Sequence, residues 1–168
     1  MPDKLPVTAE QYLAADSRPQ TTWADVRRRL AEARTYWLAT VRPDGRPHVM
    51  PLLAVWLDGA LHFVASGTSR KARNLALSPR CVVTASDPAL DLVLEGKAVK
   101  VRDEARLHRL AEAYASKYGW PVTVHDGAFQ GEGAPTAGPP PYEVYEVVPS
   151  VAFGFGTDES LNAMRWRF

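Results

Sequence analysis

The feature that most constrains the fold is a close succession of strand-forming segments joined by tight turns. Asp44-Gly45 and Asp58-Gly59 each lie between segments rich in β-branched and aromatic residues. An Asp-Gly pair in this setting is typical of a β-hairpin, because these two residues tolerate the positive φ angles that such turns need. Antiparallel strands joined in this way favour a closed barrel over an open sheet. The predicted strands are Tyr36–Val41, Pro47–Leu57, Ala60–Ser66, Arg80–Ala85, Leu90–Val101, Tyr142–Val148, Val151–Phe155 and Met164–Phe168.

Helical segments flank these strands. The stretch Thr22–Ala33 begins with a capping sequence, in which Asp25 follows Thr22 by three residues, and its apolar residues fall on one face. A second helix is predicted over Asp103–Tyr118, where an aspartate again provides the N-cap. We also expect a short helical segment near Thr8–Ala15.

The chain is predicted to form one domain that is mainly β with flanking helices. Its 168 residues are enough to bury a core of their own. Residues 1–34 form the expected N-terminal helical segment, and residues 35–168 the expected barrel. The stretch Gly127–Pro141 is rich in glycine and proline and is predicted to be a loop.

Composition excludes several classes of protein. A formal net charge of +1 gives no general attraction to nucleic acid. Cys81 is the single cysteine, so no internal disulfide can form and a reducing compartment is expected. No apolar run reaches membrane-spanning length, and the first residues lack the apolar core of a signal peptide. We therefore expect a cytoplasmic protein with neither a nucleic-acid nor a membrane partner.

Clustered cations mark the start of a short predicted helix. This helix follows the strand Ala60–Ser66 and runs to Leu77, with Thr68 or Ser69 as its N-cap. Its first turn carries three cations, although the positive end of a helix dipole disfavours them: Arg70, Lys71 and Arg73. Free amides, a capping hydroxyl and cations together predict a phosphate or carboxylate site. The alternative is a surface turn whose cations meet only water.

The order of these motifs resembles the split β-barrel flavin and deazaflavin oxidoreductases, the superfamily of pyridoxamine 5′-phosphate oxidase. The resemblance covers about residues 35–149 and is carried by Leu38–His48, Leu61–Phe63 and Ser69–Arg80 in this order. The tail Arg165–Phe168 also resembles that of actinobacterial members related to the cofactor F420. This resemblance implies an FMN-binding split β-barrel that forms a homodimer, with one cofactor in each of two clefts at the subunit interface.

The resemblance also implies which residues bind the cofactor. In the family, the segment that corresponds to Ser69 and Lys71 holds the cofactor phosphate, and the strand after the first hairpin runs along the tricyclic ring. Arg165 or Trp166 is expected to line the partner's cleft. The complete implied cofactor-binding set is His48, Val49, Met50, Pro51, Ser66, Ser69, Arg70, Lys71, Arg73, Asn74, Arg165 and Trp166.

One departure from the family pattern bears on the cofactor. Pyridoxamine phosphate oxidases carry an arginine and a lysine on the ring strand, the lysine near Val55, whereas His48–Leu57 contains neither. Their absence argues against pyridoxamine phosphate oxidase activity and against tight binding of FMN. It favours F420, whose phosphate or glutamyl carboxylates can meet the cations of the predicted helix. FMN is the alternative cofactor.

The four histidines are unequal candidates for a functional role. His48 is a weak candidate for a catalytic proton donor by position, and a strand histidine satisfied by a neighbour is the alternative. His62 alternates with apolar residues and is expected to be structural, while His108 lies on a charged helix face. His125 precedes the predicted loop, where it is a weaker candidate for substrate contact. No spacing among the histidines and the cysteine matches a metal site, and none is predicted.

The leading hypothesis is an oxidoreductase that uses reduced F420 to deliver hydride to a small unsaturated or quinone-like substrate. The cofactor carries this chemistry, so the protein needs only to bind, orient and tune it. An FMN-dependent enzyme of the same fold is one alternative. A protein that binds a flavin, F420, haem or bile pigment without turnover is the other.

Overall fold

Strands dominate the structure. The computed structural model describes residues 4–11, 20–132, 137–157 and 162–168. In chain order, the elements within these ranges are β1 (Thr8–Gln11), α1 (Trp23–Glu32), β2 (Tyr36–Val41), β3 (Pro47–Leu52), β4 (Ala54–Leu57), β5 (Ala60–Ser66), α2 (Arg70–Leu77), β6 (Arg80–Asp87), β7 (Leu90–Lys100), α3 (Glu104–Tyr118), β8 (Thr123–His125), β9 (Ala128–Gln130), β10 (Tyr142–Gly156) and β11 (Ala163–Arg167). The prediction of a mainly β fold with flanking helices is confirmed.

The sheet is antiparallel and is organised around β10. Seven strands follow the order β1-β11-β10-β7-β6-β2-β3. The first part of β10 also pairs with β5, which in turn pairs with β4. A register shift between Pro149 and Val151 bends β10 where it passes β7. Such a bulge gives proline a place in a paired strand, since proline has no N–H to contribute to the ladder.

Several predicted boundaries were wrong. Thr8–Gln11 is a strand, because its backbone pairs with β11 over four residues, and residues 12–15 of that predicted helix lie outside the described ranges. The predicted strand Pro47–Leu57 is interrupted at Leu53, where the chain leaves β2 and begins to pair with β5. The two predicted strands over 142–155 are one strand, because the bulge absorbs the irregularity between them.

The start of the predicted loop 127–141 was also wrong. β9 occupies Ala128–Gln130 and forms a hairpin with β8. The turn between them is Asp126-Gly127, with φ angles of 50° and 71°. This is the same pair of residue types that makes the β4–β5 hairpin, where Asp58 and Gly59 have φ angles of 50° and 75°.

The helices α1 and α3 are buried on the apolar faces that the sequence pattern predicted. Thr22 caps α1 through the expected capping box with Asp25, and the apolar face of α1 contributes Trp23, Val26 and Leu30 to the barrel core. α3 begins after its cap Asp103 and buries its own apolar face in a second cluster. Among the described residues, no helix has the length and apolarity to cross a bilayer.

Candidate cofactor site

The site is built at the start of α2. Ser69 is the N-cap, and its hydroxyl accepts a hydrogen bond of 3.2 Å from the amide of Ala72. Thr68, the other predicted cap, instead shares a hydrogen bond of 3.1 Å with the hydroxyl of Ser66 at the end of β5. No acidic residue lies in the first turn of α2. The helix therefore presents its positive end and its cations without a carboxylate of its own.

Lys71 is buried in this turn. Its side chain is only 8% exposed, whereas Arg70 and Arg73 lie on the exposed face of the helix. Burial lowers the pKa of Lys71, and no neighbouring carboxylate opposes this shift. In the part of the chain that the structure describes, no ion pair joins Lys71 to an acidic side chain. A buried ammonium in this state is unfavourable until an anion pairs with it.

Asn74 lies one turn after Lys71 on the same buried face of α2. Its side chain is fully buried, and its Nδ2 donates a hydrogen bond of 3.0 Å to the hydroxyl of Thr40 on β2. Thr40 is paired with His48 across the β2–β3 ladder. The Thr40 hydroxyl lies 3.5 Å from both the Nδ1 atom and the carbonyl oxygen of His48. Side chains therefore connect α2 to β3 through β2.

The charges around His48 are all positive. Partial burial lowers its pKa most, and the cations Arg42, Lys71 and Arg70 lower it further. The imidazole is therefore neutral near pH 7. A neutral imidazole keeps one ring N–H as a donor and one ring nitrogen as an acceptor.

Successive side chains of β3 lie on opposite faces of the sheet. His48 and Met50 lie opposite the buried residues Thr40 and Leu38, so they belong to the face on which α2 packs. Val49 and Pro51 alternate to the outer face of the sheet. Of the predicted ring-strand residues, His48 and Met50 thus lie on the α2 side, and Val49 and Pro51 can approach a ligand there only through their backbone.

Two predicted residues lie elsewhere. Arg165 on β11 pairs with Glu10 on β1, with 2.7 Å between its Nη2 and a carboxylate oxygen. Trp166 is 1% exposed and packs in the core against Trp23, with 5.8 Å between ring centroids. The structure does not bring either residue to the start of α2 within the chain. It does bring together Ser66, Ser69, Arg70, Lys71, Asn74 and His48, while Met50 lies two residues from His48 on the same face of β3.

Two members of the neighbourhood were missed from the sequence, Thr40 and Arg42. Thr40 carried a detectable signal, because it occupies an inward position of β2 after the buried residues Tyr36 and Leu38. A hydroxyl at such a position needs a partner, and its partners are at the site. Arg42 follows the strand in a turn, where the sequence gives no indication of its direction.

His62 is part of a separate ionic cluster. It is fully buried, and its Nε2 accepts a hydrogen bond of 2.9 Å from Arg106 of α3. Arg106 also forms an ion pair of 2.7 Å with Glu146 of β10. Burial, aided by the charge of Arg106, lowers the pKa of His62 to about 4. The cluster ties α3 to the barrel, which agrees with the structural role expected for His62.

The remaining candidates are dispersed. His108 and His125 are exposed, and Cys81 is buried in β6, where burial raises the pKa of its thiol to about 12. Within the described ranges, no three histidine, cysteine, aspartate or glutamate side chains are grouped so that they could hold a metal ion.

Comparison with known proteins places these features in a family. A model of the pyridoxamine 5′-phosphate oxidase family matches residues 22–153, which is most of the chain and includes β2, β3 and α2. The chain belongs to the pyridoxamine 5′-phosphate oxidase family. Its split barrel is therefore a feature of that family's fold.

Individual family members resemble the chain to different extents. A pyridoxine/pyridoxamine 5′-phosphate oxidase from Pseudomonas entomophila is 40% identical over 73 residues, which cover 42% of this chain and 34% of that protein. The chain thus matches about a third of the length of this curated relative. A solved structure of the conserved hypothetical protein Rv2991 from Mycobacterium tuberculosis has a TM-score of 0.68 at 21% identity, over 87% of this chain and 91% of that one.

An F420 reductase is a further solved structure with this fold. It is 26% identical to the chain described here, with a TM-score of 0.52, and the match covers 73% of this chain and 92% of the reductase. The chain is therefore similar to proteins named for two different activities, a pyridoxine/pyridoxamine 5′-phosphate oxidase and an F420 reductase.

Proposed function

We propose that this protein is an oxidoreductase that binds F420 at the start of α2 and reduces a small unsaturated or quinone-like substrate. The observation that carries the proposal is the buried Lys71, which lies at the positive end of a helix and has no acidic partner among the described residues. A phosphate or carboxylate of the cofactor would supply the missing charge. The likeness to an F420 reductase supports this choice of anion.

The residues of β3 and β4 favour F420 over FMN. Neither strand contains an arginine or lysine, so the cations that the family's pyridoxamine phosphate oxidases place on this strand are missing. The cofactor supplies the hydride when it is bound. The chain's own contribution is to hold the anionic end at Lys71 and Ser69, to support the ring along the backbone of β3, and to offer the His48 imidazole beside it.

The proposal predicts a preference between two cofactors. Titration of the purified protein with F420, followed by the fluorescence of the cofactor, is expected to saturate in the micromolar range, and FMN is expected to bind more weakly. Tight binding of FMN with weak binding of F420 would transfer the protein to the flavin branch.

Turnover separates an enzyme from a binding protein. Reduced F420 mixed with the protein and a quinone is expected to be oxidised faster than without protein, in proportion to protein concentration. Binding of F420 without any acceleration over a panel of quinones and activated alkenes would favour the non-catalytic alternative.

We also propose that the protein is a homodimer, with the outer face of β2, β3, β6, β7 and β10 as the interface. Trp37, Val41 and Val49 lie on this face and are 49%, 48% and 51% exposed. The register continues the face through Val82 and Val93 to Phe153. A groove of about 680 Å³ lies on the same side of the sheet. Apolar residues predominate on this face, which also carries the exposed Glu95 and Asp91; such a mixture of apolar and charged residues is typical of a subunit interface.

The dimer proposal predicts that a charge on this face separates the subunits. Sedimentation equilibrium is expected to give twice the chain mass for the natural protein and the chain mass for Trp37→Glu, because an unpaired carboxylate would be buried at the interface. Leu77→Glu is the matched control, since Leu77 is 71% exposed at the end of α2, away from this face. A monomeric natural protein would refute the proposal.

A further inference from the structure

We propose that Thr40 and Asn74 are positioning residues for His48, and that they hold the single ring proton of its neutral imidazole on Nε2. The site at the start of α2 would then carry a fixed N–H donor, suited to a carbonyl or quinone oxygen of a bound molecule. The use of this donor by cofactor or substrate rests on the proposed function above. The arrangement of the three side chains does not.

The Asn74 amide determines what the Thr40 hydroxyl can do. Nδ2 of Asn74 donates to the Thr40 oxygen at 3.0 Å, and both residues are at least 98% buried. A hydroxyl has a single proton, and one of its lone pairs is now occupied. The proton of Thr40 is therefore directed away from Asn74, toward β3.

On β3, His48 provides the acceptors for the proton of the Thr40 hydroxyl. Its Nδ1 and its carbonyl oxygen each lie 3.5 Å from the Thr40 oxygen. This distance is at the long end of the range for hydrogen bonds. When the hydroxyl donates to Nδ1, that nitrogen must be unprotonated, and the ring proton then resides on Nε2.

The surrounding charges keep the imidazole from taking a second proton. The charged groups that bear on His48 are Arg42 after β2 and Arg70 and Lys71 of α2, all of them cations. No carboxylate is among them, so none of the described charged groups that act on His48 stabilises an imidazolium. Partial burial acts in the same direction. The neutral ring, oriented through Nδ1, is the state that these groups favour.

Nitrogen-15 NMR of the ligand-free protein tests this assignment directly. Labelled histidine ring nitrogens distinguish the two neutral tautomers, and His48→Gln identifies the His48 signals. In the natural protein we expect His48 at pH 7.5 as the Nε2–H tautomer. A dominant Nδ1–H form, or a protonated ring, would overturn the proposal without any variant being needed.

Variants of the two partners test the positioning. Thr40→Val keeps the shape of the side chain but removes the hydroxyl, and we expect a mixture of tautomers in its place. Thr40→Ser restores the hydroxyl and is expected to restore the Nε2–H form. Asn74→Ala frees the Thr40 lone pair, so the hydroxyl can accept from Nδ1–H and the population should shift toward that tautomer. Tautomer populations equal to those of the natural protein in all three variants would refute the role of Thr40 and Asn74.

Cofactor affinity then shows whether the donor is used. Loss of one hydrogen bond between neutral groups weakens binding about 2- to 12-fold, and we expect a loss in this range for F420 binding in His48→Gln and in Thr40→Val. The double variant should lose no more than either single one, because both remove the same donor. If the losses of binding free energy in the two single variants add up in the double variant, Thr40 does not act through His48. If the natural protein binds neither F420 nor FMN, the proposed function fails, while the NMR result still decides the tautomer.

Discussion

Replacement of Lys71 by methionine is expected to weaken F420 binding while leaving the ligand-free protein at least as stable as before. Methionine keeps the apolar stem of the side chain in its buried position and removes only the charge. Hydrogen bonds to charged groups contribute about 1.5 to 3 kcal/mol, which corresponds to a loss of affinity of roughly 10- to 150-fold. In the absence of cofactor, removal of a buried cation from the positive end of α2 relieves an unfavourable interaction.

The opposite directions of these two effects make the result diagnostic. Affinity is measured by fluorescence titration, and the free energy of unfolding by urea denaturation of the ligand-free protein. Arg28→Met serves as the control, because Arg28 is an exposed cation of α1 whose ion pairs with Asp25 and Glu32 lie at the surface. An affinity of the Lys71 variant within twofold of the natural protein would remove Lys71 from the site. A large loss of stability would instead assign it a structural role.

Acidification is expected to destabilise the fold well before its carboxylates are protonated. His62 has a pKa of about 4 in the folded protein, against an ordinary value of 6.5. Between these values the unfolded chain binds a proton that the folded protein does not, so the free energy of unfolding falls as the pH falls. The stability contributed by the neutral His62 is complete above pH 6.5, has dropped by about 2 kcal/mol at pH 5, and has dropped by about 3 kcal/mol near pH 4.

The pH range assigns this loss to histidines, and mainly to His62, because the pKa of His48 is also lowered but His48 is only partly buried. The pKa values of Glu146 and Asp58, which face His62 together with Arg106, are held below the usual range for carboxyl groups, so their own contributions are lost at lower pH. Urea denaturation at intervals from pH 7.5 to 4.5 measures the effect. His62→Gln, which retains an acceptor for Arg106, is expected to flatten the profile. His108→Gln alters only an exposed histidine and should leave the profile as it is.

The sequence predicted features whose causes are local. The capping box of α1 and the Asp58-Gly59 hairpin depend on neighbouring residues, and both formed where expected. The interruption at Leu53 depends on distant ones. There the hydroxyl of Tyr118 contacts both the N–H and the carbonyl oxygen of Ala54, from 64 positions further along the chain. An apolar run gives no indication of such a contact, so a single strand was the natural prediction.

In the candidate cofactor site, too, the features with local causes could be predicted and those that depend on distant residues could not. Spacing alone placed the cations of α2 beside a capping serine, and the helix begins at Arg70 as that interpretation requires. Which cation would be buried could not be predicted, because the burial of Lys71 depends on how α2 packs against β2. The link from Asn74 through Thr40 to His48 joins residues 34 and 8 positions apart. It becomes visible only when the three elements are assembled.

The central position of β10 has a consequence for how the chain reaches its native state. β10 spans Tyr142–Gly156 and pairs with β5, β7 and β11. About 80 residues separate the partners Val64 and Val144, and contacts across such distances are slow to form. During synthesis, the edges of β5 and β7 that face β10 therefore stay unpaired until the residues of β10 have left the ribosome. Pairing of β10 is the step at which these two edges are no longer open to neighbouring chains.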